Sequence, residues 1–171
     1  YTLLSESYAD SECLYHTILD ANQAFNAGDF AAAQSLYETA AGDDSLIACW
    51  TRSDELTELR SFAWYRLALI SAYQGDADTA EALIAQVTDS YPDAPYTLIG
   101  QRWLGDYQST GDVKAACAAI NDYAANDGAA AVTMLADYGY ANPSFTADEV
   151  CPILAVDAPT VEPRVDAGAQ D

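Results

Sequence analysis

A thiol and an imidazole three residues apart can hold a soft metal. Cys13-x-x-His16 would put that pair on one helical face. A zinc site needs about four ligands. No second pair stands near, and His16 is the chain's single histidine. With one histidine and no nucleophile motif, the parts of a Ser-His-Asp or Cys-His centre are also missing. A partly buried histidine on its helix accounts for His16. Asp43-Asp44 and Asp76-x-Asp78 are the next candidates, for weak Ca²⁺ binding. Neither has the glycine and closing glutamate of an EF-hand loop. Helix caps and solvated loops account for both. No glycine-rich phosphate loop occurs. The sequence thus points to no catalytic residue, no metal and no cofactor, and the expectation is a protein that is not an enzyme.

The four cysteines carry more information. Cys13, Cys49, Cys117 and Cys151 contain no C-x-x-C pair, so thioredoxin-like chemistry and a zinc ribbon are not expected. An even count at long spacings suits two disulfides in an oxidising compartment. Three connectivities exist. Pairing 13 with 49 and 117 with 151 is favoured, because each pair is about one helical repeat apart. Each such loop would stabilise the fold by roughly 3–4 kcal/mol in the chain-entropy model. Four buried thiols in a reducing compartment is the alternative. The expected location is secreted or cell-surface. A chain that opens on Tyr1 rather than Met is expected to be a processed or trimmed product.

Charge narrows the partners. The chain has 171 residues and a net charge of −21, with 27 acidic residues against six basic ones. Phosphate backbones and anionic lipid would repel it, which excludes nucleic acid and membrane surfaces as direct partners. No apolar run reaches the roughly 18 residues that would span a bilayer. The charge suits solubility, a salty exterior, and affinity for basic partners or divalent cations. Asn142 is followed by Pro143, so no standard N-glycosylation site is formed. Thr160 beside Pro159 is a compositional candidate for an O-linked sugar. The nineteen aromatics, twelve of them tyrosine, are expected to pack between helices with hydroxyls at the solvent edge. Tyr91 and Tyr96 flank Pro92, where they would form a surface patch suited to protein or glycan contacts.

The elements that must position these residues are helices. From Phe62 to Tyr73 apolar residues recur at spacings of three and four, one face of an α-helix. Gly75 supplies the left-handed position that ends it. Asp76 caps the next helix, whose apolar face carries Ala80, Leu83, Ile84 and Val87. Pro92 lies beyond its end. Gly-Asp stands between helices at Gly28, Gly75 and Gly111. Aligned on these, Ala33, Ala80 and Ala116 follow at one position and Tyr37, Ile84 and Ile120 at another. The small residue allows close helix approach and the larger one fills the next layer. Such self-similarity signals stacked helix pairs. The expected helices are 8–27, 30–41, 54–74, 76–89, 95–109 and 112–126. A linker or short helix near Leu46–Trp50, a seventh helix at 128–139 and a short one at 146–151 complete the map.

This pattern resembles the tetratricopeptide repeat family over about Ser11 to Asn126. Trp64, Leu67 and Ala68 match its first-helix positions, and Ala80 and Pro92 its second helix and terminus. Ser71 stands where an aromatic is usual, and Ile84 replaces another. The first repeat keeps Ala21, Ala33, Tyr37 and Ala40. The third keeps Tyr107, Ala116 and Ile120. The resemblance implies an all-α fold, antiparallel helix pairs stacked as a short α-solenoid, and function through protein contacts. Trp64 is expected in the core on its repeat position.

Three regions result: an N-terminal segment 1–10, a helical domain 11–151, and a Pro/Asp-rich extended tail 152–171. The tail reads PILAVDAPTVEPRVDAGAQD and has no helical period. Ile153, Leu154, Val156, Val161 and Val165 are its candidate anchors, and Leu3 and Leu4 those of the N-terminal segment. Such a tail would lie along the chain's own groove or on a neighbouring copy. Head-to-tail docking makes rings or open filaments. The expected function is a non-enzymatic extracytoplasmic scaffold that joins copies of itself through its tails. The alternative is a monomeric adaptor holding an extended peptide.

Overall fold

The computed structural model describes residues 13–49, 55–126 and 150–164. Six α-helices follow in order: α1 (Leu14–Asn26), α2 (Phe30–Gly42), α3 (Glu55–Tyr73), α4 (Ala77–Ser90), α5 (Pro95–Thr110) and α6 (Val113–Asn126). Leu3, Leu4, Trp50, Val165 and the expected helix at 128–139 lie outside the described residues. Of the expected helix at 146–151, Val150 and Cys151 are described, and they are not helical.

The Gly-Asp turns divide the described helices into three pairs. Gly28, Gly75 and Gly111 have φ of 76°, 79° and 66°, a region that costs glycine nothing and other residues strain. The aspartate after each glycine then starts the next helix. Asp29 accepts from the Ala32 N–H at 3.2 Å, and Asp76 from the Thr79 N–H at 3.0 Å and its hydroxyl at 2.7 Å. Asp112 accepts from the Lys114 and Ala115 N–H groups at 2.9 and 3.3 Å. These bonds satisfy donors that a helix start otherwise leaves open. Pro95 opens α5, where its missing N–H is no loss.

Each helix packs on the next in sequence, and α3 also touches α1, α5 and α6. Ala33, Ala80 and Ala116 are fully buried at these contacts, with Tyr37, Ile84 and Ile120 filling the layer beside them. Leu67 and Ala68 are buried in α3. That helix has almost no outer face: 16 of its 19 residues are buried, which marks it as the central element. Arg66 lies fully buried within it, its guanidinium 5.0 Å from the Phe25 ring and 4.8 Å from the Phe62 ring. Both rings offer their faces to the cation. Arg60 reaches the end of α2, donating to the carbonyls of Ala40, Ala41 and Asp43 at 3.4, 3.2 and 3.1 Å. A cation there meets the negative end of the helix dipole.

Three aromatics sit differently from the repeat reading. Trp64 is only partly buried, at the rim of the core. Trp103 is fully buried instead, stacked on Tyr107 at 5.4 Å and edge-on to Tyr65 at 6.1 Å. Tyr96 is also fully buried, edge-on to Phe62 at 4.9 Å, so the expected Tyr91–Tyr96 surface patch does not form. Gly100 explains the exchange. It stands in α5 where the middle repeat has Trp64, and Ile84 and Tyr65 occupy the space its side chain would need.

Candidate functional site

Cys13 is bonded to Cys49 and Cys117 to Cys151, with Cα separations of 5.2 and 5.0 Å. The first bond closes the link between α2 and α3 against the start of α1, where the Leu14 N–H also donates to the Ile47 carbonyl at 3.0 Å. The second fastens the segment 150–164 to α6.

That segment, here the strap, is neither helix nor strand. Its burial alternates over its first half. Pro152, Leu154, Val156 and Ala158 face the protein, whereas Ile153, Ala155 and Asp157 face solvent. Period-two alternation is the mark of an extended chain lying on a surface. Leu154, Val156 and Val161 thus act as anchors within this chain. Ile153 does not: it is 52% exposed. Burying the Val150 and Leu154 side chains contributes roughly 1.5–3 kcal/mol each.

The helices bind the strap mainly through its backbone. Asn121 on α6 donates its amide to the Cys151 carbonyl at 2.9 Å and accepts the Cys151 N–H at 2.8 Å. Tyr65 on α3 donates its hydroxyl to the Val150 carbonyl at 3.1 Å. Tyr73, two turns on, donates to the Pro152 carbonyl at 2.7 Å and accepts the Leu154 N–H at 3.1 Å. Burial pushes both tyrosine hydroxyls above the ordinary tyrosine range, most strongly that of Tyr65. They therefore stay protonated and can donate.

The strap then crosses the three turns in chain order. A Cβ on Gly28 would lie 3.2 Å from Val156 Cγ1, and one on Gly75 3.1 Å from Pro159 Cβ. At Gly111 it would overlap the Val161 carbonyl. The Val161 N–H donates to the Gly111 carbonyl, and the Arg164 N–H to the Gln108 carbonyl, each at 2.8 Å. Arg164 ends the run by pairing with Glu81 and, at 2.9 Å, with Asp78 on α4. Glu81 raises the Arg164 pKa further, first by its hydrogen bond and then by its charge. The turn glycines thus serve twice, once for their φ and once for the approach of the strap, by side chains at Gly28 and Gly75 and by backbone at Gly111.

The opposite side of α3 borders a groove. Trp64, Leu67 and Ser71 line this groove of about 270 Å³ with Gln34 and Glu38 of α2 and Leu83 of α4. A second cleft, of about 610 Å³, lies between Glu58 of α3 and the turn at Tyr91, Pro92 and Asp93.

The metal candidates have structural duties. The Cys13 sulfur is held by Cys49. Asp43 follows α2 and accepts from the Ser45 N–H and hydroxyl, bonds that lower its pKa. Asp76 caps α4, with its pKa lowered by the Thr79 hydroxyl, and Asp78 holds Arg164. Among the described residues no cluster of three His, Cys, Asp or Glu could hold a metal ion.

Sequence reasoning missed Tyr65, Tyr73, Asn121 and Arg164. Their only signal was type: tyrosines and an amide can bond a backbone, and Arg164 is the single cation of the tail. No protein-family model, no curated protein and no solved structure matches the chain. Its function is therefore read from this geometry.

Proposed function

We propose that the chain is a non-enzymatic, extracytoplasmic scaffold: a short solenoid of tetratricopeptide-like helix pairs whose face receives an extended protein segment. In the isolated chain that segment is its own strap. In an assembly it is the strap of another copy, which joins subunits head to tail. Two disulfides support the extracytoplasmic location, since such bonds persist in oxidising compartments. The observation that carries the reading is the strap itself, a proline-containing segment held by its backbone on the second and third helix pairs and reaching the first through the Val156 side chain at Gly28. Every copy carries the same ligand and the same receiving face. Exchange of an identical element is a low-cost route to association.

The test is mass by light scattering, with the chain folded at a range of protein concentrations, beside a chain lacking residues 153–171. Mass should rise with concentration for the full chain only, while the helical circular dichroism of both persists. A full chain that stays at 18.3 kDa throughout removes self-association and leaves a self-filled scaffold. Association of the truncated chain removes the strap from the explanation.

A further inference from the structure

We propose that the Cys117–Cys151 bond seals whichever copy's strap has docked, so that assemblies of this chain are joined by disulfides between Cys117 of one copy and Cys151 of the partner subunit. The inference rests on the strap-exchange reading above. Its basis is the order in which the contacts must form. Cys151 is the second residue of the strap, and its sulfur is bonded to Cys117 on α6. Asn121, one turn further along α6, clamps the Cys151 backbone in both directions. That clamp sets Cys151 opposite Cys117 before either sulfur is oxidised. The position is thus chosen by docking, and docking reads backbone groups that every copy offers.

The two disulfides differ in this respect. Cys13–Cys49 joins segments already tied by the Leu14–Ile47 hydrogen bond, and it stays within one chain in any arrangement. Cys117 and Cys151 belong to α6 and the strap, which residues 127–149 connect. A stretch of that length, drawn out fully, reaches roughly 75 Å. A domain of this size has a radius of gyration of only about 15 Å. Chain length therefore permits either a cis or a trans partner. A tethered strap competes at an effective concentration on the order of millimolar, so dilute chains close on themselves and concentrated ones exchange.

The chemistry balances either way. Two thiols react with one small-molecule disulfide to give one protein disulfide and two small thiols. After that step both sulfurs are fully buried, and the docked strap is held covalently.

The experiment oxidises the reduced full chain with glutathione disulfide, in dilute solution and near millimolar concentration, as a mixture of light and heavy-isotope chains. Light scattering gives mass, a non-reducing gel gives covalency, and mass spectrometry identifies the linked peptides. Dilute oxidation should give single chains that stay single when concentrated later. Concentrated oxidation should give a ladder that collapses on reduction, with Cys117–Cys151 peptides joining one heavy and one light chain. Assemblies that fall to single chains in detergent without reductant would overturn the seal and leave strap exchange standing. Single chains at every concentration would overturn both. Cross-links running through Cys13 or Cys49 would overturn the assignment of the bond. The variant Cys117→Ser with Cys151→Ser should assemble reversibly. If it loses helicity, the isotope readout on the native chain still decides.

Discussion

Tyr37 donates its hydroxyl proton to Asn22 within the first helix pair, where both residues are buried. Burial pushes its pKa up to about 12, an effect that the nearby Arg66 charge only partly offsets. Tyr65 and Tyr96 move in the same direction for the same first reason. In the unfolded chain each would ionise near 10. From that pH upward the folded state holds more protons than the unfolded one, so stability falls as pH rises. Each such tyrosine contributes about 1.4 kcal/mol of loss per pH unit until its folded pKa is passed. Titration followed by tyrosinate absorbance should therefore show a set of buried tyrosines that ionise only as helicity collapses, with Tyr37 holding out to about 12. All twelve ionising together near 10 with helicity intact would contradict this placement.

At the scale of elements, substitutions at two glycines near the end of α5 should act in opposite directions. Gly105 lies inside α5, and a Cβ there would meet nothing within 4 Å. Gly105→Ala should stabilise by about 0.5–1 kcal/mol, the usual cost of glycine in a helix. Gly111→Ala combines a φ of 66° with overlap of the Val161 carbonyl. It should destabilise by about 1–3 kcal/mol and raise amide exchange at Val161 and Arg164, the donors beside that turn. Urea unfolding with hydrogen exchange reads both, and a neutral Gly111→Ala would mean that the strap does not lie there. The turns also explain what the sequence made legible. Gly-Asp punctuation marks all three of them, and repeat spacing marks both cysteine pairs. The strap's own alternation marks it as extended. Its resting place was not legible, because the receiving face belongs to α3, which is buried nearly all round. The apolar spacing of α3 marks a helix, but with nearly every side buried that spacing does not say which side a ligand takes. The exchange of Trp64 for Trp103 in the core was hidden for a related reason. It depends on Gly100 opening space beside Tyr65, a contact between helices and not a pattern along one.

Across the whole molecule, charge sets how the fold and its contacts respond to solvent. The formal net charge is −21, and two of the six cations, Arg60 and Arg66, are buried where they cap α2 and fill the aromatic core. The surface is left strongly acidic, and compaction brings like charges together. Arg164 offsets this locally at Asp78 and Glu81, but exposed ion pairs contribute little and salt screens them too. Raising salt from about 0.01 M to about 1 M shortens the screening length from roughly 30 Å to roughly 3 Å. Repulsion acts between many charges across the surface, whereas the exposed ion pairs of Arg164 are local, so screening should help more than it harms. The thermal midpoint is expected to rise with sodium chloride over that range and not with an uncharged solute at equal osmolality. Under the proposed strap exchange, association should respond more strongly still, since each copy would bring the same charge to the contact. Strap exchange should therefore be favoured by salt, and a mass that fell as salt rose would mean that ion pairs such as Arg164 with Glu81, and not the buried backbone of the strap, hold the copies together.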